Sequence, residues 1–573
     1  METLLKEWSQ STFLWTPPED SSKLVLIPGT ALAEILRILQ NVGKALTTNQ
    51  EGAVNLSTWR ARECAADAEV ELPEEFPLHL LKKFRRVNSD EFPLNPPGDL
   101  PSLGVNLRKY QAQTLAWVDF LQATNTHGLL ADDMGLGKTI QTLAILLREK
   151  NRKALIPPAL IVVPTGVLGN WLRESENKSP DLRFYCYHGP SRQELSPSLL
   201  NTHDVVITTY GIVAQEIQEF SQFTWSFLVV DEAQNLKNAN AKRYQAVKKL
   251  SARRRLGLSG TPMENHPGEI WSLFNFLMPG FLGSRSQFSQ SFREPMETGS
   301  PELAREATEI LSKRLRPFLL RRTKEQVATD LPEKSEINHY IGFREKQSQL
   351  YEAHRALLHE EIRERVEKEG LAASQIHILQ AITKLRQICC HPALIGEGIS
   401  EKNGAATTAQ SAKMERLFDL LAELQAEKRQ VLVFSQFVSM LKIIGSECES
   451  RKWRFLSFTG ETRNRQEVVD HFNAGKAPIL LISLKAGGTG LNLTAADSVI
   501  HYDPWWNPAT EQQATDRAHR IGQEKPVMVH RLIAENTIEE KILSLHEKKR
   551  SLVERILEGM PTEGIVLDEN IFL

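Results

Sequence analysis

The sequence predicts an α/β protein with two lobes, each a parallel β-sheet flanked by helices, and a helical insertion between them. Short runs that are apolar throughout predict buried strands, because strands covered on both faces carry apolar residues at every position. These runs form two groups, and a long, mainly helical and charged segment separates them. The predicted strands are 128–130, 160–163, 205–208 and 227–230 in the first group, and 431–434, 479–482, 499–500 and 527–529 in the second.

Length and composition limit the classes of protein to consider. A chain of 573 residues predicts several domains, and 41% hydrophobic with 24% charged residues is typical of globular proteins. The 69 Lys and Arg residues against 71 Asp and Glu residues leave a net charge of −2, which excludes a uniformly basic protein that coats nucleic acid. No apolar run is long enough to span a bilayer and the five cysteines are scattered, so we expect a cytoplasmic protein without membrane association.

Changes of pattern along the chain suggest four regions. Prolines are frequent in residues 1–104, which we interpret as an accessory region ending in a proline-rich linker. We assign residues 105–285 to the first lobe and 286–410 to the helical insertion. Residues 411–573 form the second lobe with a terminal helix in this interpretation.

A phosphate-binding loop is predicted directly after the first apolar strand. Glycines there allow backbone N–H groups to surround a phosphate at the start of a helix. Lys138 would reach the terminal phosphates and the Thr139 hydroxyl would bind Mg²⁺. An ordinary turn is the alternative, because Asp132 replaces the first glycine of the usual pattern; the strand–loop–helix context favours the phosphate site. The candidate loop residues are Asp132, Asp133, Met134, Gly135, Leu136, Gly137, Lys138 and Thr139.

Two acids follow the strand predicted at 227–230. Asp231 would hold Mg²⁺, and Glu232 would orient and deprotonate an attacking water. A pair of solvated acids at a strand end is the alternative. The phosphate loop predicted earlier in the same lobe favours the catalytic interpretation.

The remaining motifs give the chain a resemblance to a known family. It resembles the Swi/Snf-type branch of the superfamily-two, helicase-like, DNA-dependent ATPases, and looks most like their bacterial members. The string 486–523 is especially specific to this branch, although Gln234 stands where many relatives have His. Besides the loop and the acids, the matching segments are 107–111, 160–171, 207–211, 258–265, 431–441, 483–493 and 512–523.

The resemblance implies two RecA-like lobes that bind ATP and Mg²⁺ between them. It implies that Gln111 contacts the adenine, and that Gly488 and Gly490 lie at the nucleotide. Arg517 and Arg520 lie three residues apart on one face of a predicted helix, from which they would reach the γ-phosphate as arginine fingers. A solvated helix face is the alternative for this pair.

For nucleic acid, the resemblance implies sequence-independent contacts to a DNA backbone from small polar residues. Turn-forming and capping roles are the alternative for each of them. The candidates are Pro164, Thr165, Asn170, Thr208, Thr209, Ser435, Gln436, Thr459, Gly460, Lys485, Thr489 and Asn492.

The function implied is an ATP-dependent translocase on double-stranded DNA that displaces bound protein without separating the strands. The alternatives are a strand-separating helicase, a translocase that recycles RNA polymerase, and a nucleotide-gated scaffold without turnover. We expect a monomer at the bacterial nucleoid, with RNA polymerase or another DNA-bound protein as a further partner.

Overall fold

The computed structural model describes most of the chain from residue 96 onward, together with two strands before it. The described residues are 12–15, 25–28, 96–396 except 191, 193, 265 and 329, then 411–487, 491–544, 546 and 556–557. Most of the predicted accessory region, Gly488, Thr489, Gly490 and the side chain of Lys485 lie outside the described residues. Of the predicted terminal helix, residues 538–544, 546 and 556–557 are described and helical.

The first lobe is built on a seven-stranded sheet in which all the neighbouring strands are parallel. Its strand order is β5-β6-β4-β7-β8-β3-β9, whereas β1 and β2 form a separate antiparallel pair. These strands are β1 Thr12–Trp15, β2 Val25–Pro28, β3 Gly128–Leu130, β4 Ala159–Val163, β5 Phe184–Cys186, β6 Val205–Thr209, β7 Thr224–Val230, β8 Ser251–Leu258 and β9 Leu319–Leu320.

Helices cover the first sheet and contribute to one continuous apolar core with it. A short 3-10 helix at Ala233–Leu236 and a short π-helix at Ser289–Arg293 lie between the α-helices. The helices are α1 Lys109–Ala123, α2 Lys138–Asn151, α3 Thr165–Lys178, α4 Pro197–Thr202, α5 Tyr210–Gln215, α6 Ile217–Ser221, α7 Lys242–Lys249, α8 Gly268–Leu277, α9 Arg285–Phe288, α10 Glu294–Thr298, α11 Pro301–Leu315 and α12 Lys324–Val327.

The second lobe repeats the plan with a six-stranded parallel sheet in the order β10-β15-β14-β11-β13-β12. Its strands are β10 Lys334–Ile341, β11 Val431–Ser435, β12 Phe455–Phe458, β13 Ile479–Ser483, β14 Ser498–His501 and β15 Val527–Ala534. Its helices are α13 Glu345–Glu369, α14 Leu371–Cys390, the 3-10 turn Pro392–Ile395, α15 Ala412–Ala426, α16 Val438–Ser450, α17 Arg465–Asn473, α18 Leu484–Gly487 and α19 Pro508–Thr515.

The predicted fold class is confirmed, and each of the eight predicted strands lies in one of the two sheets. Five further strands of these two sheets were not predicted, namely β5, β8, β9, β10 and β12, and neither was the separate pair of β1 and β2. β8 begins with a polar sequence, Ser-Ala-Arg-Arg-Arg, and only its last residues are buried. β10 is an edge strand whose residues are mostly exposed or half-buried, so it carries no apolar run.

The region that we assigned to a helical insertion is divided between the two lobes. β9 extends the first sheet through the bond from Leu129 N to Phe318 O (2.8 Å), and β10 already belongs to the second sheet. α11 buries Leu311 and Leu315 in the core of the first lobe, whereas α14 buries Cys390 in that of the second. The two lobes are therefore connected by residues 321–333, a short segment that follows β9.

Candidate active site between the lobes

The predicted phosphate loop connects β3 to α2 at the carboxyl edge of the first sheet, where parallel α/β folds bind ligands. Gly135 and Gly137 have φ angles of +87° and +79°, a conformation that favours glycine. Space is a second reason for glycine. A Cβ on Gly137 would lie 2.7 Å from Gln111 Nε2, and one on Gly135 would lie 2.7 Å from Arg520 Cβ. The loop is thus approached closely by α1 on one side and by the second lobe on the other.

Lys138 is the first residue of α2 and its side chain curls back over the loop. Its Nζ donates to the carbonyl oxygens of Asp132 (2.6 Å) and Asp133 (3.2 Å). Burial lowers the pKa of Lys138, and the nearby carboxylates, Glu232 foremost, act in the opposite direction. Thr139 follows it with a half-buried side chain. The lysine ammonium is therefore held at the mouth of the loop among acids.

Asp132 does not point its carboxylate into the loop. Arg322 holds it, through Nε to Oδ1 at 2.8 Å and Nη2 to Oδ2 at 2.6 Å, and Gln141 Nε2 donates to Oδ2 at 3.1 Å. Asp132 is completely buried, and a buried carboxylate needs such partners. Our prediction that Asp132 binds the nucleotide is therefore wrong for its side chain. That side chain stabilises the loop through its bonds to Arg322 and Gln141.

Three other loop residues contact the protein around the loop. Asp133 Oδ2 accepts from the backbone N–H of Lys324 (3.1 Å). The Met134 side chain lies against Gly260, where an added Cβ would be 2.4 Å from Met134 Cγ. Leu136 is buried and its carbonyl oxygen accepts from Tyr110 Oη at 2.8 Å.

Gln111 uses its amide to join α1 to the phosphate loop. Its Nε2 donates to the carbonyl oxygen of Leu136 at 3.1 Å, and its Oε1 accepts from the N–H of Arg108 at 2.9 Å. Gln111 is 5% exposed. Its contact with an adenine stays a prediction.

Asp231 and Glu232 follow β7 at the same edge of the sheet. Asp231 Oδ2 accepts from Trp171 Nε1 at 2.7 Å, and Oδ1 accepts from the Glu232 N–H at 2.8 Å. Burial, together with the charge of Glu232, raises the pKa of Asp231 to about 7. Glu232 itself has a φ of +48°, which is unusual for a residue with a side chain and is typical of functional sites.

Gln234 connects these acids to the segment after β8. Its Nε2 donates to Glu232 Oε2 at 2.8 Å, and its Oε1 accepts from Ser259 Oγ at 2.7 Å. Gln234 therefore links segment 258–265 directly to Glu232.

Arg517 and Arg520 lie beyond the helix that we predicted for them. α19 ends at Thr515, and the two arginines occupy the turns that follow it. Arg517 is 3% exposed, and its Nε and Nη2 have no hydrogen-bond partner among the described residues; the same holds for Arg520 Nε. Burial lowers the pKa of Arg517 to about 10, and the charge of Glu232 opposes that change. The alternative of a solvated helix face is wrong for both arginines.

These groups fit a nucleoside triphosphate with Mg²⁺. Lys138 and Arg520 lie at the glycine loop and Arg517 lies near Glu232. Buried guanidinium N–H groups without a partner among the described residues are suited to an anion. No group of three or more His, Cys, Asp or Glu is arranged for a metal in the part of the chain that the structure describes. Mg²⁺ does not require one, since it is commonly held by one or two carboxylates, phosphates and water. Asp231 and Thr139 would be its protein ligands.

The DNA-binding candidates divide into two sets. The first set uses its polar groups inside the protein: Thr208 Oγ1 donates to Tyr187 O (2.8 Å), Thr209 caps α5, and Ser435 Oγ donates to Asp503 Oδ1 (2.5 Å). All three are buried, so the alternative of a capping or structural role describes their side chains.

The second set lies at the surface, at or near the carboxyl edges of the sheets. Thr165 begins α3 after Pro164, and Gly460 is so open that an added Cβ would meet nothing within 4 Å. The remaining members are half-buried Asn170, Gln436 and Thr459 and exposed Asn492. Whether they bind DNA stays a prediction.

Sequence reasoning missed several residues that organise this site. Trp171 and Arg322 were overlooked, although each binds a carboxylate of the site. Arg386 was also missed: its Nη1 donates to Gln436 Oε1 at 2.9 Å, and its guanidinium lies 5.8 Å and 5.5 Å from the ring centres of Trp505 and Trp506. In the sequence, residues 314–324 form only a basic run that indicates local positive charge, because the partners of its members are distant along the chain.

A second basic run in the sequence, Arg253 to Arg255, lies in the middle of β8, before the three buried residues at the carboxyl end of the strand. Arg254 Nη1 donates to Glu149 Oε2 (2.8 Å), and Arg255 Nη1 donates to Phe276 O (2.5 Å). These arginines serve the fold of the first lobe. Within the described residues, none of the helices is both long and apolar enough to cross a membrane.

Comparison with known proteins supports this picture of two lobes. The family model "SNF2-related domain" matches residues 110–394, and "Helicase conserved C-terminal domain" matches residues 412–522. A Bacillus subtilis protein named putative ATP-dependent helicase/translocase is 41% identical over 467 residues, 80% of this chain and 50% of that one. A human SWI/SNF-related regulator of chromatin, subfamily A member 1, is 37% identical over 482 residues, 81% of this chain and 44% of that one. The chain thus spans about half, or less, of these curated relatives.

Among solved structures, the Sulfolobus solfataricus SWI2/SNF2 ATPase core, solved in complex with dsDNA, is 36% identical in sequence. It covers 80% of this chain and 94% of its own, with a TM-score of 0.41. The two family models together span both lobes and the segments that form the site between them. The chain belongs to the SNF2 family.

Proposed function

We propose that this protein is a DNA-dependent ATPase that moves along double-stranded DNA and displaces bound protein without separating the strands. The observation that carries the proposal is the approach of two arginines of the second lobe to the site of the first: Arg520 lies at the phosphate loop, and Arg517 lies near Glu232. A Cβ added to Gly135 would lie only 2.7 Å from Arg520 Cβ. Arg517 has N–H groups without a partner among the described residues, and it lies close enough to Glu232 for that charge to act on its pKa.

The residues support hydrolysis of the γ-phosphate by water. Glu232 orients a water and takes its proton as the oxygen attacks phosphorus and the bond to the ADP oxygen breaks. Lys138, Arg517 and Arg520 stabilise the negative charge on the phosphoryl oxygens. A Mg²⁺ held by Asp231 and Thr139 would neutralise charge on the phosphates when bound.

Hydrolysis removes the anion that both lobes contact, so it weakens the closed arrangement. A ligand shifts a conformational equilibrium only through its different affinity for the two states, and a site divided between lobes supplies that difference. Alternate closing and opening, with DNA bound along both lobes, would move the protein along the duplex.

Hydrogen bonds of the first lobe would link bound DNA to the chemistry at Asp231. Trp171, from the segment that contains Asn170, donates to Asp231 Oδ2 (2.7 Å). Tyr210, next to Thr209, donates from its hydroxyl to the Asp231 carbonyl oxygen at 2.6 Å. DNA bound at segments 160–171 and 207–211 would therefore act on the residues that surround Asp231, which is a physical basis for stimulation of ATP hydrolysis.

The test is the ATPase rate of the purified chain with duplex DNA, single-stranded DNA, RNA and no nucleic acid. We expect duplex DNA to give the largest stimulation, Lys138→Ala to abolish turnover, and Lys313→Ala, an exposed lysine on α11, to leave it unchanged. Displacement of a triplex strand without unwinding of the duplex would support translocation.

For each alternative function, a different result would contradict our proposal. Robust strand separation would establish a helicase instead. Turnover equal to that of Glu232→Gln would establish a scaffold without hydrolysis. Capture of RNA polymerase would point to a recycling translocase. The monomeric state and the place at the bacterial nucleoid stay predictions.

A further inference from the structure

We propose that Lys324 is a positioning residue for ATP hydrolysis: it holds the turns that carry Arg517 and Arg520 against the phosphate loop. This inference rests on the proposed function. Lys324 begins α12 in the segment 321–333 that connects the lobes. Its ammonium donates to Asp516 and to the His519 carbonyl oxygen, which precede the two arginines, so its effect would act through those arginines.

On the first lobe, the main chain of Lys324 is attached to the phosphate loop. Its N–H donates to Asp133 Oδ2 at 3.1 Å, and the Asp133 N–H donates to the carbonyl oxygen of Arg322 at 3.0 Å. Arg322 in turn holds the carboxylate of Asp132. The backbone around Lys324 therefore has a defined position relative to the loop.

On the second lobe, the side chain of Lys324 contacts the residues that directly precede the two arginines. Its Nζ donates to Asp516 Oδ1 at 2.6 Å and also to the carbonyl oxygen of His519. Asp516 comes before Arg517, and His519 comes before Arg520. One ammonium group thus constrains both arginines at once.

The ion pair between Lys324 and Asp516 is buried, and the Lys324 ammonium shares one Asp516 oxygen with a second donor. The side chains of Lys324 and Asp516 are 6% and 5% exposed, and Gln512 Nε2 donates to the same Asp516 oxygen at 2.9 Å. A buried ion pair is a poor source of net stability, because desolvation of both charges offsets their attraction. We expect this ion pair to fix the position of the turn that carries the arginines, since charged hydrogen bonds constrain distance and angle more closely than apolar contacts do.

Small errors in this geometry would matter for turnover. Arg520 already lies so close to Gly135 that a Cβ there would be 2.7 Å from Arg520 Cβ and 3.6 Å from Lys324 Cε. A displacement of about 1 Å of a group that stabilises a transition state can lower the rate about 10²-fold. Nucleotide binding would change less, because the loop, Lys138 and Gln111 belong to the first lobe.

The experiment compares Lys324→Met, the double variant Lys324→Met/Asp516→Asn, and a control double variant Lys413→Met/Glu539→Gln. The control removes a completely buried lysine–glutamate pair in the second lobe that contacts neither the loop nor the arginines. For each variant we would measure Tm, and kcat and KM for ATP with Mg²⁺ at saturating duplex DNA.

We expect Lys324→Met to lose stability because it leaves Asp516 buried and unpaired, and the double variant to recover most of the lost Tm. In the double variant kcat should still be reduced about 10- to 100-fold, with KM for ATP within about threefold of wild type. The control pair should keep kcat within about twofold once folded.

The outcomes are distinguishable. If kcat recovers together with Tm in the double variant, or the control pair loses kcat equally, Lys324 has only a structural role and the inference is overturned while the proposed function stands. A wild-type chain without DNA-stimulated turnover overturns the proposed function, and the inference with it.

Discussion

The two lobes have the same parallel architecture but supply different kinds of groups to the site. In the first lobe the main polar groups of the site already have partners within that lobe. Lys138 donates to loop carbonyl oxygens, Asp231 accepts from Trp171, and Glu232 accepts from Gln234. In the second lobe, Arg517 and Arg520 keep buried N–H groups that lack a partner among the described residues.

This difference suggests that the two lobes have different roles towards a bound anion. A site whose groups are held in place binds a ligand without rearrangement, whereas unsatisfied buried donors gain most when an anion arrives. On the proposed function, we expect the first lobe to hold the nucleotide and the second lobe to respond to the presence or absence of its terminal phosphate.

The sharpest way to test these different roles is to remove the arginines. Arg517→Ala or Arg520→Ala should lower kcat by about 10³-fold or more with little change in KM for ATP, because an arginine finger acts on transition-state charge. Steady-state kinetics with saturating duplex DNA would measure this. Arg429→Ala, a surface arginine of the second lobe paired with Glu427, serves as the control. A raised KM with an unchanged kcat would show that these arginines only bind nucleotide.

A second test asks whether the first lobe is held rigid by the pair behind its loop. Arg322→Met leaves Asp132 buried without its charged partner, and should lower the free energy of unfolding by about 3–5 kcal/mol in urea titrations. Arg305→Met, which breaks the exposed pair with Glu309, should change it by less than about 1 kcal/mol. Equal losses for the two variants would contradict a special role for the Asp132–Arg322 pair.

A third test, with a smaller expected effect, concerns how the free energy of unfolding of the second lobe depends on pH. His501 is completely buried, its ring stacks on Phe434 and its Nε2 is 3.0 Å from Thr515 Oγ1. Burial lowers its pKa from 6.5 to about 4, with Glu511 acting in the opposite direction. Between pH 6.5 and 4 the unfolded state binds the proton and the folded state does not. Stability therefore falls as pH falls through that window, by up to about 1.4 kcal/mol per pH unit for one proton.

The measurement is the free energy of unfolding at several pH values between 7 and 4.5. His501→Asn should reduce the slope of the unfolding free energy against pH in that range by the equivalent of up to one bound proton. A slope that is the same in His501→Asn and wild type would show that His501 does not titrate in this way.

Local patterns predicted much of the site. Apolar runs located β3, β4, β6 and β7, and the glycines, Lys138, Asp231 and Glu232 follow such strands directly. The carboxyl ends of parallel strands meet at one edge, so these predictions needed no three-dimensional information beyond the fold class. Exposed or charged strands such as β8 and β10 carry no such pattern, and they were missed.

The sequence by itself determined the two-lobe α/β plan, the phosphate loop, the acid pair and membership of the SNF2 family, because each depends on residues close together in the chain. Only the tertiary structure decided that Arg322 holds Asp132 across 190 residues, and that Lys324 reaches Asp516 across 192. Charged residues in a basic run look alike in sequence. Which of them becomes buried, and against which carboxylate, depends on how distant segments pack, and the cost of burying an unpaired charge then enforces the pairing.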